Sequence, residues 1–423
     1  MRRGVLKLED LIAQFMPVDA EYTDWYAART AKLDESVKKI GVVSLASKAG
    51  EDMPVRRAGQ SARTVELDTD SFRNIIGGDD QRLEFLGHLL ACGAWDDAML
   101  LVEHLGDHGV RDVAACECVG RALCSIVCDE LGGAPGTGTG TGTEADGPEL
   151  GERAMAAIAL LGQHLHFDLR AFAKVLAAVS GLISSGNPGK KELGQQLLLG
   201  TLLPAYNLVP SNVAIASSLW SDALSKLTYP ERFRLYAEFG ELVASSPLLQ
   251  ASEKLAETEA RRILRRVTAP TNNKDTRKTM RPIGRLLAKV AHANPFVVCR
   301  QLLRQVMGMP GMVASISESL KYLTPMAFDV LTYSIVKQLS CGKRKLKEDG
   351  VNLEEWFQFL ALFTGIVCRT QRNVEVTALA QLVANNLKQS ESLDLLVLKE
   401  IITSMTRISP TVDVSYQQLD ALA

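Results

Sequence analysis

Histidine and cysteine hold transition metals, and six of them cluster in one stretch of this chain: His104, His108, Cys116, Cys118, Cys124 and Cys128. His104 and His108 are four residues apart, as are Cys124 and Cys128. On a helix each pair shares a face, so four ligands could converge. Against this, no C-x-x-C pair is present, and the cysteines sit among Ala, Val, Leu and Ile from Val113 to Val127. The expected arrangement is buried structural thiols with surface histidines and no bound metal.

Other chemistry is incomplete. Gly186-Asn-Pro-Gly189-Lys-Lys191 has a lysine after a glycine, but the wrong spacing for a phosphate-binding loop, and it reads as a helix-ending turn. No G-x-S-x-G elbow occurs, and no Ser or Cys stands beside a His and an acid in a recognisable pattern. Asp96-Asp97 and Glu354-Glu355 fall on first turns or polar helix faces, where capping or solvation explains them. His292, in Ala291-His-Ala-Asn-Pro295, lies at a helix end that favours a cation. The expectation is a protein with no catalytic site and no cofactor.

One charge feature stands apart. Between Arg261 and Lys289 the basic residues are Arg261, Arg262, Arg265, Arg266, Lys274, Arg277, Lys278, Arg281, Arg285 and Lys289, against the single acid Asp275, on a chain of net charge −2. Like charges at helical spacing repel, so a phosphate or an acidic partner is expected to neutralise them. RNA, an acidic protein surface and a merely solvated strip all fit this pattern. A second run, Lys343-Arg-Lys-Leu-Lys347, sits in a loop and has the composition of a nuclear-import signal.

The elements that must position these residues are helices. Leu83, Phe85, Leu86, Leu89 and Leu90 repeat at spacings of three and four, as do Met99, Leu100, Leu101 and Leu105. Further helices are expected at 110–131, 151–165, 168–185, 191–203, 211–227, 230–245, 251–268, 281–293, 295–308, 312–323, 325–340, 353–369, 374–388 and 392–406. Thr324 should cap a helix opened by Pro325, and Asn352 one whose early turn carries Glu355. Trp356, Leu360, Leu331 and Leu396 are expected in the core, with 392–406 enclosed on most sides because it is apolar nearly all round.

Short connections between such helices make antiparallel neighbours, so the fold expected is all-α, an irregular solenoid of helical hairpins. Aromatic residues are only 6%, which argues against a β-sandwich. No window is apolar long enough to span a membrane. Residues 42–80 read as a long loop, and the Gly-Thr repeat as a flexible insertion. The expected organisation is an N-terminal helical module at 1–131, the insertion at 132–149, and a scaffold at 150–423. The start of the chain turns charged too soon for a signal peptide. Few cysteines for the length suit a reducing compartment.

From about residue 160 onward the chain resembles THO complex subunit 2. The matching blocks come in the family's order: Thr201-Leu-Leu-Pro204, Tyr229-Pro-Glu-Arg-Phe-Arg-Leu-Tyr236, Arg281-Pro-Ile-Gly-Arg-Leu-Leu-Ala-Lys-Val-Ala-His-Ala-Asn-Pro295, Ser319-Leu-Lys-Tyr-Leu-Thr-Pro325 with Asp329-Val-Leu331, the Trp356 helix, and Ser392-Leu-Asp-Leu-Leu-Val-Leu-Lys-Glu400. Ala237 and Phe239 depart from the family's Gly and Trp. The resemblance implies a MIF4G-like repeat in the C-terminal half, a nuclear location, assembly with the other THO subunits, and docking of the DEAD-box ATPase of mRNA export. It also implies a much longer protein, so the chain reads as an internal piece or a truncated gene model. A helical adaptor of translation or RNA decay is the alternative that shares this architecture.

Overall fold

The computed structural model describes residues 11, 12, 14–40, 80–132, 150–267, 273–371 and 374–406, with backbone only at 273–277 and 310. Most of the expected loop at 42–80 and of the Gly-Thr insertion lies outside the described residues. All regular structure among the described residues is helical, apart from one isolated antiparallel bridge, Leu346 to Leu353. The chain is all-α and divides into two compact units, residues 1–259 and 260–423.

The first unit contains α1 (Asp19–Lys39), α2 (Gln81–Ala91), α3 (Trp95–Asp107), α4 (Glu117–Glu130), α5 (Glu152–Leu161), α6 (Leu169–Ser184), α7 (Pro188–Leu197), α8 (Leu203–Leu208), α9 (Val213–Ser218) and α10 (Tyr229–Ser245). Helix α4 is central: α2, α5 and α6 all pack on it, so the helices flanking residues 133–149 meet directly. The helix expected over 110–131 begins only at Glu117. The Asp112 carboxylate is taken by Gln163 and His164, each at 2.9 Å, which draws 110–116 into a 3₁₀ turn and an extended step.

Helix α7 continues into α8 through a π turn at Leu198–Leu202. Pro204 explains it: the ring has no N–H to give and would clash with the carbonyl four residues back, and a widened turn relieves both. The Thr201-to-Pro204 block is thus a buried helix joint, with Thr201, Leu202, Leu203 and Pro204 all inside. In the next block, Thr228 and Glu231 form a capping box, the Thr228 N–H donating to Glu231 Oε2 at 2.9 Å. Arg232, buried, donates to the Leu227 carbonyl at 2.7 Å and covers the Trp220 ring.

Helix α11 (Pro247–Leu264) spans the boundary between the units. The second unit contains α12 (Asn273–Ala291), α13 (Pro295–Gly308), α14 (Val313–Ser319), α15 (Pro325–Leu339), α16 (Glu355–Thr370), α17 (Val376–Lys388) and α18 (Leu395–Thr406). Most of its main contacts skip one helix: α12 packs on α14, α14 on α16 and α16 on α18, while α13 packs on α15 and α15 on α17, and α13 also packs on α16. The helices therefore lie in two rows, α12-α14-α16-α18 and α13-α15-α17.

Two glycines allow close approach within the first row. A Cβ on Gly284 of α12 would meet the Ser319 carbonyl oxygen at 2.6 Å, and one on Gly365 of α16 would meet the Glu400 carbonyl oxygen of α18 at 2.4 Å. Thr324 caps α15 as its spacing predicts, its Oγ1 accepting from the Ala327 N–H at 3.3 Å, with Pro325 first in the helix.

Two expectations for the C-terminal helices need correction. Asn352 does not cap α16: Asp349 accepts its backbone and side-chain N–H groups, and so holds it in the preceding turn. Leu331 and Leu360 are buried as expected, but Trp356 and Leu396 are only half-buried. Helix α18 buries Val397 and Ile401 and leaves Leu395, Ile402 and Met405 exposed. An apolar circumference does not dictate enclosure where neighbours pack on one side only.

Candidate interaction surface

Helix α12 carries its charge on one face. Lys278, Arg281, Arg285 and Lys289 follow at intervals of three, four and four, so they form one exposed stripe. Met280, Ile283, Leu287, Ala288 and Ala291 form the opposite face and are buried. Burial of that face fixes the helix and obliges the stripe to point outward. Arg265 and Arg266 are exposed beyond the end of α11, after the buried Ile263 and Leu264.

Among the described residues, Arg265, Arg266, Lys278, Arg281 and Arg285 make no ion pair with any acid. Arg261, Arg262 and Lys289 are exposed but engaged with neighbours, and Arg261 Nε donates to Gln301 Oε1 at 3.4 Å. Lys274 and Arg277 stand on the first turns of α12, and their side chains lie outside the described residues.

Two features of this surface escape a reading of the charge run alone. Tyr322, part-exposed, brings its ring to 5.6 Å from the Arg285 guanidinium, because Gly284 lets the Lys321-Tyr322 turn come close to α12. Arg300 and Arg304 of α13 are exposed and one turn apart, though each has a partner. Their four-residue spacing was the available signal.

Two cations of the second basic run, Lys345 and Lys347, are engaged in the fold, while Lys343 and Arg344 are exposed. Lys345 Nζ lies 2.8 Å from Oδ2 of the buried Asp394, which also accepts from Asn386. Lys347 pairs with Glu355 at 3.2 Å, and the Arg344 carbonyl accepts from the Trp356 indole N–H at 3.1 Å. These contacts pin the loop to α16 and to the turn before α18. His292 also departs from its expected role as a helix-end cation: burial lowers its pKa, which favours the neutral ring.

The cysteines do not join the histidines. All eight are free thiols, and the Cys116 and Cys118 sulfurs lie 3.0 Å apart beside α2. The hydrogen bond from Cys118 draws the Cys116 thiol down to about 7, whereas burial pushes Cys124 up to about 12. The histidines meet a carboxylate instead, Asp19.

The described residues thus form an all-α fold with an exposed basic stripe on α12. A family profile for a transcription- and export-related complex subunit, Thoc2, matches residues 287–361. THO complex subunit 2 of Arabidopsis thaliana is 28% identical over 467 aligned residues, covering 100% of this chain and 25% of the plant protein. The human THO complex subunit 2 is 26% identical, covering 99% of this chain and 27% of its own length. That of Saccharomyces cerevisiae is 24% identical over 219 residues. The chain is similar to THO complex subunit 2 along essentially its whole length, and it spans about a quarter of the length of the plant and animal relatives.

Proposed function

We propose that this chain is a non-enzymatic scaffold segment of the THO complex, acting in the nucleus where transcription is coupled to mRNA packaging and export. Its helical rows, read as a MIF4G-like repeat, hold other THO subunits and dock a DEAD-box ATPase. The observation that carries the reading is similarity to THO complex subunit 2 along essentially the whole chain, in plants and animals alike. The blocks that carry the resemblance do packing work, as in the Pro204 joint, the Thr228–Glu231 cap and the Asp394–Lys345 pair, which is what a scaffold requires.

The exposed stripe of α12 is assigned to an acidic partner. A protein surface is favoured over RNA because Tyr322 sets a single ring against Arg285 of the stripe, whereas single-stranded RNA calls for successive stacking rings.

Affinity purification of the tagged chain from nuclear extract tests the assignment. THO subunits together with a DEAD-box ATPase are expected. Recovery of translation or decay factors without THO subunits would overturn it. For the ATPase alone, a correctly folded 200–400 segment that fails to bind at tens of micromolar would remove the docking claim.

A further inference from the structure

We infer that Asp19, His104 and His108 form a binding site for a divalent cation of the zinc class. The first unit brings the start of α1 against the end of α3. Asp19 is the first residue of α1, His104 lies in the last turn of α3, and His108 is the residue that ends it. Asp19 Oδ1 lies 3.5 Å from His104 Nε2 and 4.0 Å from His108 Nε2, and all three ligand atoms fall within 4.8 Å of one another. Ligand atoms about 2.1 Å from a tetrahedral centre stand about 3.4 Å apart, so a small contraction closes the site.

A second observation points to a ligand. His104 Nε2 is hidden from solvent and has no hydrogen-bond partner, and Asp19 Oδ1, also hidden, faces it beside the Arg82 guanidinium. Buried polar atoms of this kind are rare because each costs free energy. A cation between them would give the His104 nitrogen its missing partner.

The surroundings fit ligation. His108 Nδ1 lies 3.1 Å from Thr23 Oγ1, and that contact turns Nε2 toward Asp19, the outer support a ligating imidazole usually has. The Arg82 guanidinium lies 2.7 Å from Asp19 Oδ1 and donates to the Pro17 carbonyl at 2.8 Å, which holds the carboxylate in place. The carbonyl end of α3 favours positive charge beside His104 and His108. Two imidazoles and one carboxylate already partly neutralised by Arg82 suit Zn²⁺, and they suit Mg²⁺ or Ca²⁺ poorly, since those need oxygen ligands. Bound there, the cation would clamp α1 to α3.

The test uses the whole untagged chain, freed of metal by chelation. Zn²⁺ is titrated by calorimetry, and Co²⁺ is added as a spectroscopic probe. One equivalent should bind, Co²⁺ should show visible d–d absorption, and Zn²⁺ should raise the melting temperature. Asp19→Asn, His104→Gln and His108→Gln should each abolish the melting shift while leaving the circular dichroism spectrum unchanged. Thr23→Val should weaken binding by about tenfold. Cys124→Ser with Cys128→Ser should leave binding intact. Undiminished binding by Asp19→Asn or by either histidine variant, binding lost in the cysteine variant, or no binding at all would overturn the assignment.

Discussion

Asp394 shows how much can rest on one side chain. It is buried and holds Lys345 at 2.8 Å. Breaking a buried pair leaves its other charge stranded, so Asp394→Ala should cost about 3 kcal/mol in urea unfolding, and Lys345→Met at least as much, because it strands the Asp394 carboxylate, the more buried member of the pair. Glu231 makes a different kind of contribution. Burial works against its carboxylate, but Lys191 at 2.6 Å and the Thr228 N–H and hydroxyl hold it down to about 2, from an ordinary 4.5. A lowered pKa stabilises the fold fully above the ordinary value, and the benefit fades as pH falls toward the folded one. The stability gap between wild type and Glu231→Gln should therefore be widest above pH 5 and close on the way to pH 2. A gap that does not change with pH would refute this account. Gly365 sets two effects against each other. Alanine gains about 1 kcal/mol in helix propensity, but its Cβ would press on the Glu400 backbone, and overpacking costs about 1–3 kcal/mol. Backbone cannot swing aside as a side chain can, so Gly365→Ala should destabilise.

Single helices divide into those closed on all sides and those open on one. Leu360 of α16 is fully buried, and Leu360→Ala should cost about 2–5 kcal/mol. Leu396 of α18 is half-buried, so Leu396→Ala should cost well under half of that. Thermal unfolding of the two variants side by side would show equal losses if α18 were enclosed. The sequence pattern located most of the helices because apolar spacing is a local property, but it missed α1, whose largely polar sequence buries only Tyr22, Tyr26, Leu33 and Val37, and it began α12 at 281 rather than Asn273. It misjudged α18 because an apolar circumference says nothing about how many neighbours arrive. It misplaced the start of α4 because Gln163 and His164, distant in sequence, claim Asp112. The charged stripe was legible as composition, and its four-residue rhythm on α12 follows from the buried Met280, Ile283 and Leu287. Tyr322 was not legible, since only the close contact at Gly284 carries it to Arg285. Asp19 could not be paired with His104 by any local spacing.

At the scale of the whole molecule, the stripe should govern association. Replacing Lys278, Arg281 and Arg285 by alanine should slow binding to an acidic THO partner and leave RNA binding untouched. Had RNA been the partner, the slope of log affinity against log salt would flatten by about 2, at roughly 0.7 per phosphate. Measuring both at several salt concentrations separates the two, and no change in either would mean a solvated strip. The two rows of the second unit carry one more consequence, which concerns parity. Because each helix leans on the one after next, removing a single helix would move every later helix into the opposite row and turn its buried face outward. Removing two would leave the register of all the others unchanged. Length in this unit can therefore change by helix pairs but not by single helices. Excising α13 and α14 together should accordingly be tolerated far better than excising α14 alone, even though the larger cut discards more of the core.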